Sequence, residues 1–251
     1  MNTLQTLRAA AQMLAAQLST PAPHLDVTGE GTFDHSDFEA LLDAHSRDGR
    51  VDYAGFDRAA LDAYVTRLAE ADPEELASEA QLTFWINAYN ALAIRSVLER
   101  YPISSVHEVP EFFTRRHSVG RRALSLNQIE HGIVRRYGDP RVHAALVCAA
   151  GSCPVPTAYR TGDLAAQLDA RMRAFLGDPA RGARYDVATD TLYLSRIFQW
   201  FAGDFSGLGA HLDPRRLAPA LRSYLDGPAL AATEAGRIAW MEYDWGLNDE
   251  R

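Results

Sequence analysis

The chain has 251 residues, 47% hydrophobic and 23% charged, a composition that excludes a disordered, collagen-like or disulfide-scaffolded protein and makes one globular domain the size prior. All 25 basic residues are arginine, so chemistry that needs an ε-amine is excluded, whether a phosphate-loop lysine, a Schiff-base nucleophile or a kinase-type lysine. A net charge of -8 disfavours nucleic acid and anionic membrane as partners, and no apolar run approaches the ~18 residues of a membrane span.

Met1 to Thr20 is Ala-rich but interrupted by Gln5, Arg8, Gln12 and Gln17, which reads as an amphipathic helix and not a signal peptide. A cytoplasmic location is therefore expected. Ser19 to Gly31 is rich in Pro, Thr and Gly and reads as a linker. Residues 1–30 are thus a helix and linker, and 31–251 a single domain. Asp34, His35 and Ser36 offer capping groups for a short helix carrying Phe38, Leu41 and Leu42. Val51 to Tyr53 is strand-like, and Leu61, Tyr64, Val65 and Leu68 form the stripe of a helix that stops before Asp72-Pro73. From Leu82 the run LTFWINAYNALAIRSVLERY is apolar on nearly every side in its first half, as in a helix buried all round. HSVGRRALS fits a hairpin about Gly120-Arg121, and Ser125 with Gln128 forms a capping box for a helix ended by Gly138-Asp139-Pro140. Arg141 to Cys148, apolar on both faces, reads as a strand in the middle of a sheet. A helix striped by Leu164, Leu168, Met172 and Phe175 follows and closes at Gly177. Next come a hairpin about Thr189-Asp190, an aromatic helix capped by Ser195, a helix starting at Asp213-Pro214 and a last strand over Arg237 to Tyr243. The class is α+β, helix-rich, with a small and mostly antiparallel sheet around a buried central helix.

Polar residues inside apolar elements carry the functional signal. Asn87 and Asn90 share one face of the buried helix, and an unpaired buried amide costs on the order of 1–3 kcal/mol, so both need partners. They either tie the helix to loop backbone or line a cleft and hold a substrate. Cys148 stands where the expected strand ends, with Cys153 five residues later and close enough for a disulfide, a shared metal or an attacking and resolving pair. His131 lies opposite the apolar stripe of its helix, where a histidine is most often solvated. If the cysteine loop covers that face, thiol, imidazole and amides could form a nucleophile, a base and an orienting group. With His143 the same atoms offer a Cys2His2 metal set on weak spacing. Between Glu111 and Arg141 seven arginines face three acids, either a solvated face or an anion-accepting patch.

The run FWINAYNALAI, the helix SLNQIEHGIVR, the loop DPRVHAALVCAAGSCP, the segment LYLSRIFQWFAGDF and the C-terminal YDWGLN, in that order, resemble the bacterial and plant family known as domain of unknown function 547. The likeness spans about Val51 to Asn248. It implies that Asn87, Tyr89, Asn90, Glu130, His131, His143, Cys148, Cys153, Tyr243 and Asp244 form a shared site. Many members of that family carry export signals, and many have Asn before the first cysteine, where this chain has Val147. The expected function is a thiol-dependent hydrolase or acyl transferase of papain- or transglutaminase-like logic, acting on a small molecule or peptide with an anionic group. Cys148 or Cys153 is the nucleophile and His131 or His143 the base, with Glu130 beside them. Asn87, Tyr89, Asn90, Arg135, Tyr243 and Asp244 bind substrate. The alternatives are a non-catalytic binding domain with a Cys148–Cys153 disulfide, or a Cys/His metal site. No cofactor is expected, and the residues carry no signal of oligomeric state.

Overall fold

The computed structural model describes residues 27–207 and 213–251. The expected helix over Met1 to Thr20 lies outside the described residues, as does the linker up to residue 26. The rest of the linker is not free. Gly31 bridges to Leu76, donating to the Glu75 carbonyl and accepting from Ala77 N–H.

Among the described residues, three α-helices come first. α1 (Ser36–His45) is followed by a two-residue hairpin, β1 (Ser46–Arg47) and β2 (Arg50–Val51). α2 (Arg58–Glu70) is capped by Asp57, whose carboxylate accepts from Ala60 N–H, and it buries the stripe Leu61, Tyr64, Val65 and Leu68. Fully buried Leu61 and Leu68 are each worth on the order of 2 kcal/mol. α3 (Ser78–Leu98) buries 18 of its 21 residues, Arg95 being the one charged side chain in its second half to reach water. Its all-round apolar sequence is explained by its place in the centre of the core.

The hairpin β3 (Arg116–Val119) and β4 (Arg122–Ser125) turns at Gly120 and Arg121, both with positive φ (59° and 55°), the type I′ geometry that suits the strand twist. A Cβ at position 120 would approach the Pro73 ring to 2.7 Å, so only glycine fits there. The capping box forms as expected, with Ser125 Oγ accepting from Gln128 N–H and Gln128 Oε1 from Ser125 N–H. It opens α4 (Leu126–Gly132); Ile133 leaves α-helical geometry (φ -124°, ψ -73°), and a 3-10 turn over Val134–Tyr137 continues to Gly138, whose φ of 73° ends it at the expected place.

The expected central strand over Arg141 to Cys148 is not a strand. Asp139 and Pro140 start a 3-10 turn over Pro140–Ala144, with the Asp139 carboxylate on Arg141 N–H, and irregular backbone continues to Cys148. The segment is apolar on both faces because helices surround it. A side-chain amide of α3 takes the place of a neighbouring strand.

α5 (Leu164–Leu176) precedes a three-stranded sheet in which β5 (Ala183–Asp186) and β6 (Thr191–Leu194) form the expected antiparallel hairpin. α6 (Arg196–Trp200), capped by Ser195, and α7 (Ala202–Ser206) follow. After a 3-10 turn begun by Asp213-Pro214 come α8 (Ala218–Leu221) and α9 (Gly227–Glu234), and β7 (Ile238–Trp240) then adds parallel to β6. The class is α+β, with three separate small sheets, mostly antiparallel, in place of one. The segment after β7 ties distant parts together. Gly246 bridges to Ser105, Leu247 to Ala150 and Asp249 to Val51, while Tyr53 Oη donates to Asn248 Oδ1 at 2.8 Å. Among the described residues no helix is long and apolar enough to cross a membrane.

Candidate functional site

Asn87 and Asn90 act as two clamps. Asn90 Nδ2 donates to Ala145 O at 2.9 Å and its Oδ1 accepts from Val147 N–H at 2.9 Å. Asn87 does the same to Tyr159, donating to its carbonyl and accepting from its N–H. Each amide satisfies one backbone donor and one acceptor, and both side chains are buried. They tie the central helix to the backbone on either side of the cysteine loop, the first of the two arrangements the sequence left open.

The loop that Asn90 positions carries the two cysteines, joined in a disulfide with Cα atoms 6.2 Å apart. Cys148 N–H points at Cys153 Sγ (3.0 Å), and Tyr243 Oη lies 3.3 Å from one sulfur and 3.2 Å from the other. Ala149, directly after Cys148, is held at φ +61°, a conformation that costs a non-glycine residue about 1 kcal/mol. Gly151 is required, since a Cβ there would meet the Asp244 carboxylate at 2.6 Å. Asp244 faces this turn, its Oδ1 accepting from Gly246 N–H. Its backbone N–H donates to Ser152 Oγ, so it braces the loop.

Next to the sulfurs lies a polar cluster set among aromatic rings. His143 Nε2 is 2.8 Å from Asp204 Oδ2, and its ring stacks on Phe201 at 3.9 Å. Asp204 also takes a two-pronged ion pair from Arg135, Nε to Oδ2 at 2.6 Å and Nη2 to Oδ1 at 2.7 Å. Burial alone would raise the Asp204 carboxyl, but the hydrogen bonds and charges of His143 and Arg135 hold it well below the usual carboxylate range. Glu130 is buried and moves the other way. Burial raises its pKa against the charges of His143 and Arg135 and the hydrogen bond from Tyr89. Burial also pushes Tyr89 and Tyr243 well above an ordinary phenol.

Glu130, His143, Cys148, Cys153, Trp200 and Tyr243 line one cleft of about 30 Å³, room for one or two waters. His131 is outside it. Its Nδ1 accepts from Arg135 Nη1 at 3.2 Å, and burial followed by the Arg135 charge lowers its pKa to about 4. It is a buried acceptor behind Arg135 and not a solvated residue. Arg135 itself is spent on Asp204. So is most of the arginine patch, since Arg115 pairs with Glu99, Arg121 with Asp72, Arg122 with Glu74 and Arg141 with Asp139. Among the described residues no group of three or more His, Cys, Asp or Glu side chains is arranged to hold a metal ion. The two sulfurs bond each other, so the Cys/His metal alternative finds no ligand set among the described residues.

The functional side chain that sequence reasoning missed is Asp204. It was in view inside LYLSRIFQWFAGDF, but no local pattern ties an acid to a histidine 61 residues earlier.

Fold and site together define an α+β protein whose central helix pins a cysteine loop against an aspartate–histidine pair. Residues 73–176 match the family model described as "Protein of unknown function, DUF547". The match holds Asn87, Asn90, Glu130, His131, His143 and both cysteines, while Asp204 and Tyr243 lie beyond it. Comparison with the curated proteins and with the solved structures found no match.

Proposed function

We propose that this protein is a thiol-dependent hydrolase or acyl transferase acting on a small molecule or short peptide, and that the disulfide is its resting, inactive form. The observation that carries the reading is the shared cleft, in which a histidine already held by a carboxylate and a cysteine pair meet the same small cavity. A dithiol reductant opens the disulfide by exchange, its own two thiols being oxidised to a disulfide while two electrons and two protons pass to the protein and leave both cysteines as thiols. A cytoplasmic location, kept reducing by glutathione and thioredoxin, supplies such a reductant. Cys148, 9% exposed against 3% for Cys153, is then the nucleophile. His143 takes its proton, with Asp204 fixing the ring as the third group of a triad does. Glu130, more readily protonated than an ordinary carboxylate, is the acid for the leaving group.

The test is alkylation of the native chain with iodoacetamide after mild reduction, mapped by peptide mass, alongside turnover of p-nitrophenyl acetate. The expected result is rapid modification of Cys148, slowed about tenfold or more by Asp204→Asn or His143→Gln, with turnover abolished by Cys148→Ser and by oxidation. Equal rates in the His143 variant, or no modification of the folded protein, would reject the reading.

A second reading rests on the disulfide itself, as a staple in a binding domain without chemistry. It requires that Cys153→Ser lower stability by about 2 kcal/mol, as closing so short a loop implies, while native Cys148 stays unreactive.

A further inference from the structure

A second cavity, of about 340 Å³, lies on another face and has no part in the cysteine chemistry. One wall is α1, which presents Glu39, Leu42 and Asp43 at helical spacing, continued by Ser46 and Asp48 in the following hairpin. The opposite wall is α5, which presents Gln167, Ala170 and Arg171 at the same spacing. The chain from Val155 to Ala158 forms the floor. Its size falls within the range of small-molecule sites.

The two walls carry opposite charge. The carboxylates of Asp43 and Asp48 have no hydrogen-bond or ion-pair partner among the described residues. Arg171, half-buried, has one long contact, Nη1 to Thr157 Oγ1 at 3.4 Å, and no carboxylate partner. The neighbouring arginines of this helix and its surroundings are committed, Arg173 to Asp169, Arg141 to Asp139 and Arg181 to Asp178. Gln167 is committed as well, bracing the floor through Ala158 O and Arg160 N–H. Most of the Arg171 guanidinium fork is therefore available for a two-pronged bond to a carboxylate. Arg160, which closes one end, is committed too, lying 3.6 Å from Glu39 and 3.9 Å from Asp163.

We infer that this groove binds a small zwitterion of the amino-acid or dipeptide kind, its carboxylate on Arg171 and its ammonium between Asp43 and Asp48. A simple anion would meet the acidic wall and a simple cation would meet Arg171, so the pairing of walls selects a ligand with both charges. The inference is independent of the proposed thiol chemistry, because no residue of the groove lines the cysteine cleft.

The test is calorimetric titration of the full chain with dialanine, N-acetyl-dialanine and dialanine amide. Saturable binding of dialanine is expected, weakened about tenfold or more by blocking either terminus and by Arg171→Met, and several-fold by Asp43→Asn. Unfolding of each variant at the wild-type temperature establishes that the fold is intact. Absence of saturable binding by dialanine overturns the inference, as does binding that Arg171→Met leaves unchanged or that the blocked peptides match.

Discussion

Two sets of buried polar side chains, one on α3 and one gathered by α4, the 3-10 turn before the cysteines and α7, solve the same problem in opposite ways. Asn87 and Asn90 each spend the amide nitrogen and the amide oxygen on backbone. Glu130, His143, Arg135 and Asp204 instead gather beside a cavity, the Glu130 carboxyl pushed up by burial and the Asp204 carboxyl held down by its bonds to His143 and Arg135. Burial of a polar group is thus no mark of function by itself. What separates the sets is whether the hydrogen-bonding capacity is closed on the chain or opens on a space where a reacting molecule can sit.

The largest test of this contrast is acid. His35, His117 and His131 are each lowered to about 4, in every case chiefly by burial. The unfolded chain, whose histidines titrate near 6.5, binds more protons below that value, so stability is full above about pH 6.5 and falls as pH drops toward 4. Each group contributes on the order of 3 kcal/mol, while Glu130, raised in the fold, offsets part of the loss. Urea midpoints across that range should fall steeply, and a flat profile would mean that these rings are hydrated in solution.

Removal of a clamp comes next. Asn90→Ala orphans Ala145 O and Val147 N–H and should cost about 2–4 kcal/mol in chemical denaturation. A loss under 1 kcal/mol would show that water reaches the cysteine loop and would erase the distinction between the two sets. Ser125→Ala removes half of the capping box and should cost about 1 kcal/mol without changing the alkylation rate of the reduced protein. The smallest effect belongs to the arginine patch. Arg115→Gln breaks an ion pair with Glu99 that water reaches on both sides, and about 0.5 kcal/mol or less is expected in the same assay.

The parts legible in the sequence are those governed by short-range rules. The turn at Gly120-Arg121, the Ser125 box and the stripe of α2 each depend on residues within a few positions, and the structure has them where expected. The segment before Cys148 was illegible for a physical reason. Apolar residues on both faces report burial, not the nature of the neighbour, and here that neighbour is the Asn90 amide and not a strand. The site divided along the same line. Cys148, Cys153, His143, Glu130 and Tyr243 stood out as chemistry-bearing residues and line one cleft. The aspartate that orients the histidine, the arginines already paired and the inward turn of His131 all depend on contacts across tens of residues, which no local pattern encodes.

The segment that returns after β7 sets the timetable by which the molecule can be completed. Tyr243 must reach the two sulfurs and Asn248 must reach Val51 and Tyr53 before the cleft is closed. On the ribosome these partners emerge roughly 90 to 200 residues after the groups they meet, which is about 5 to 40 s at ordinary rates of synthesis. The cysteine pair is therefore exposed to whatever thiols surround the nascent chain from its own emergence until Tyr243 follows 90 to 95 residues later, and only then becomes a shielded site.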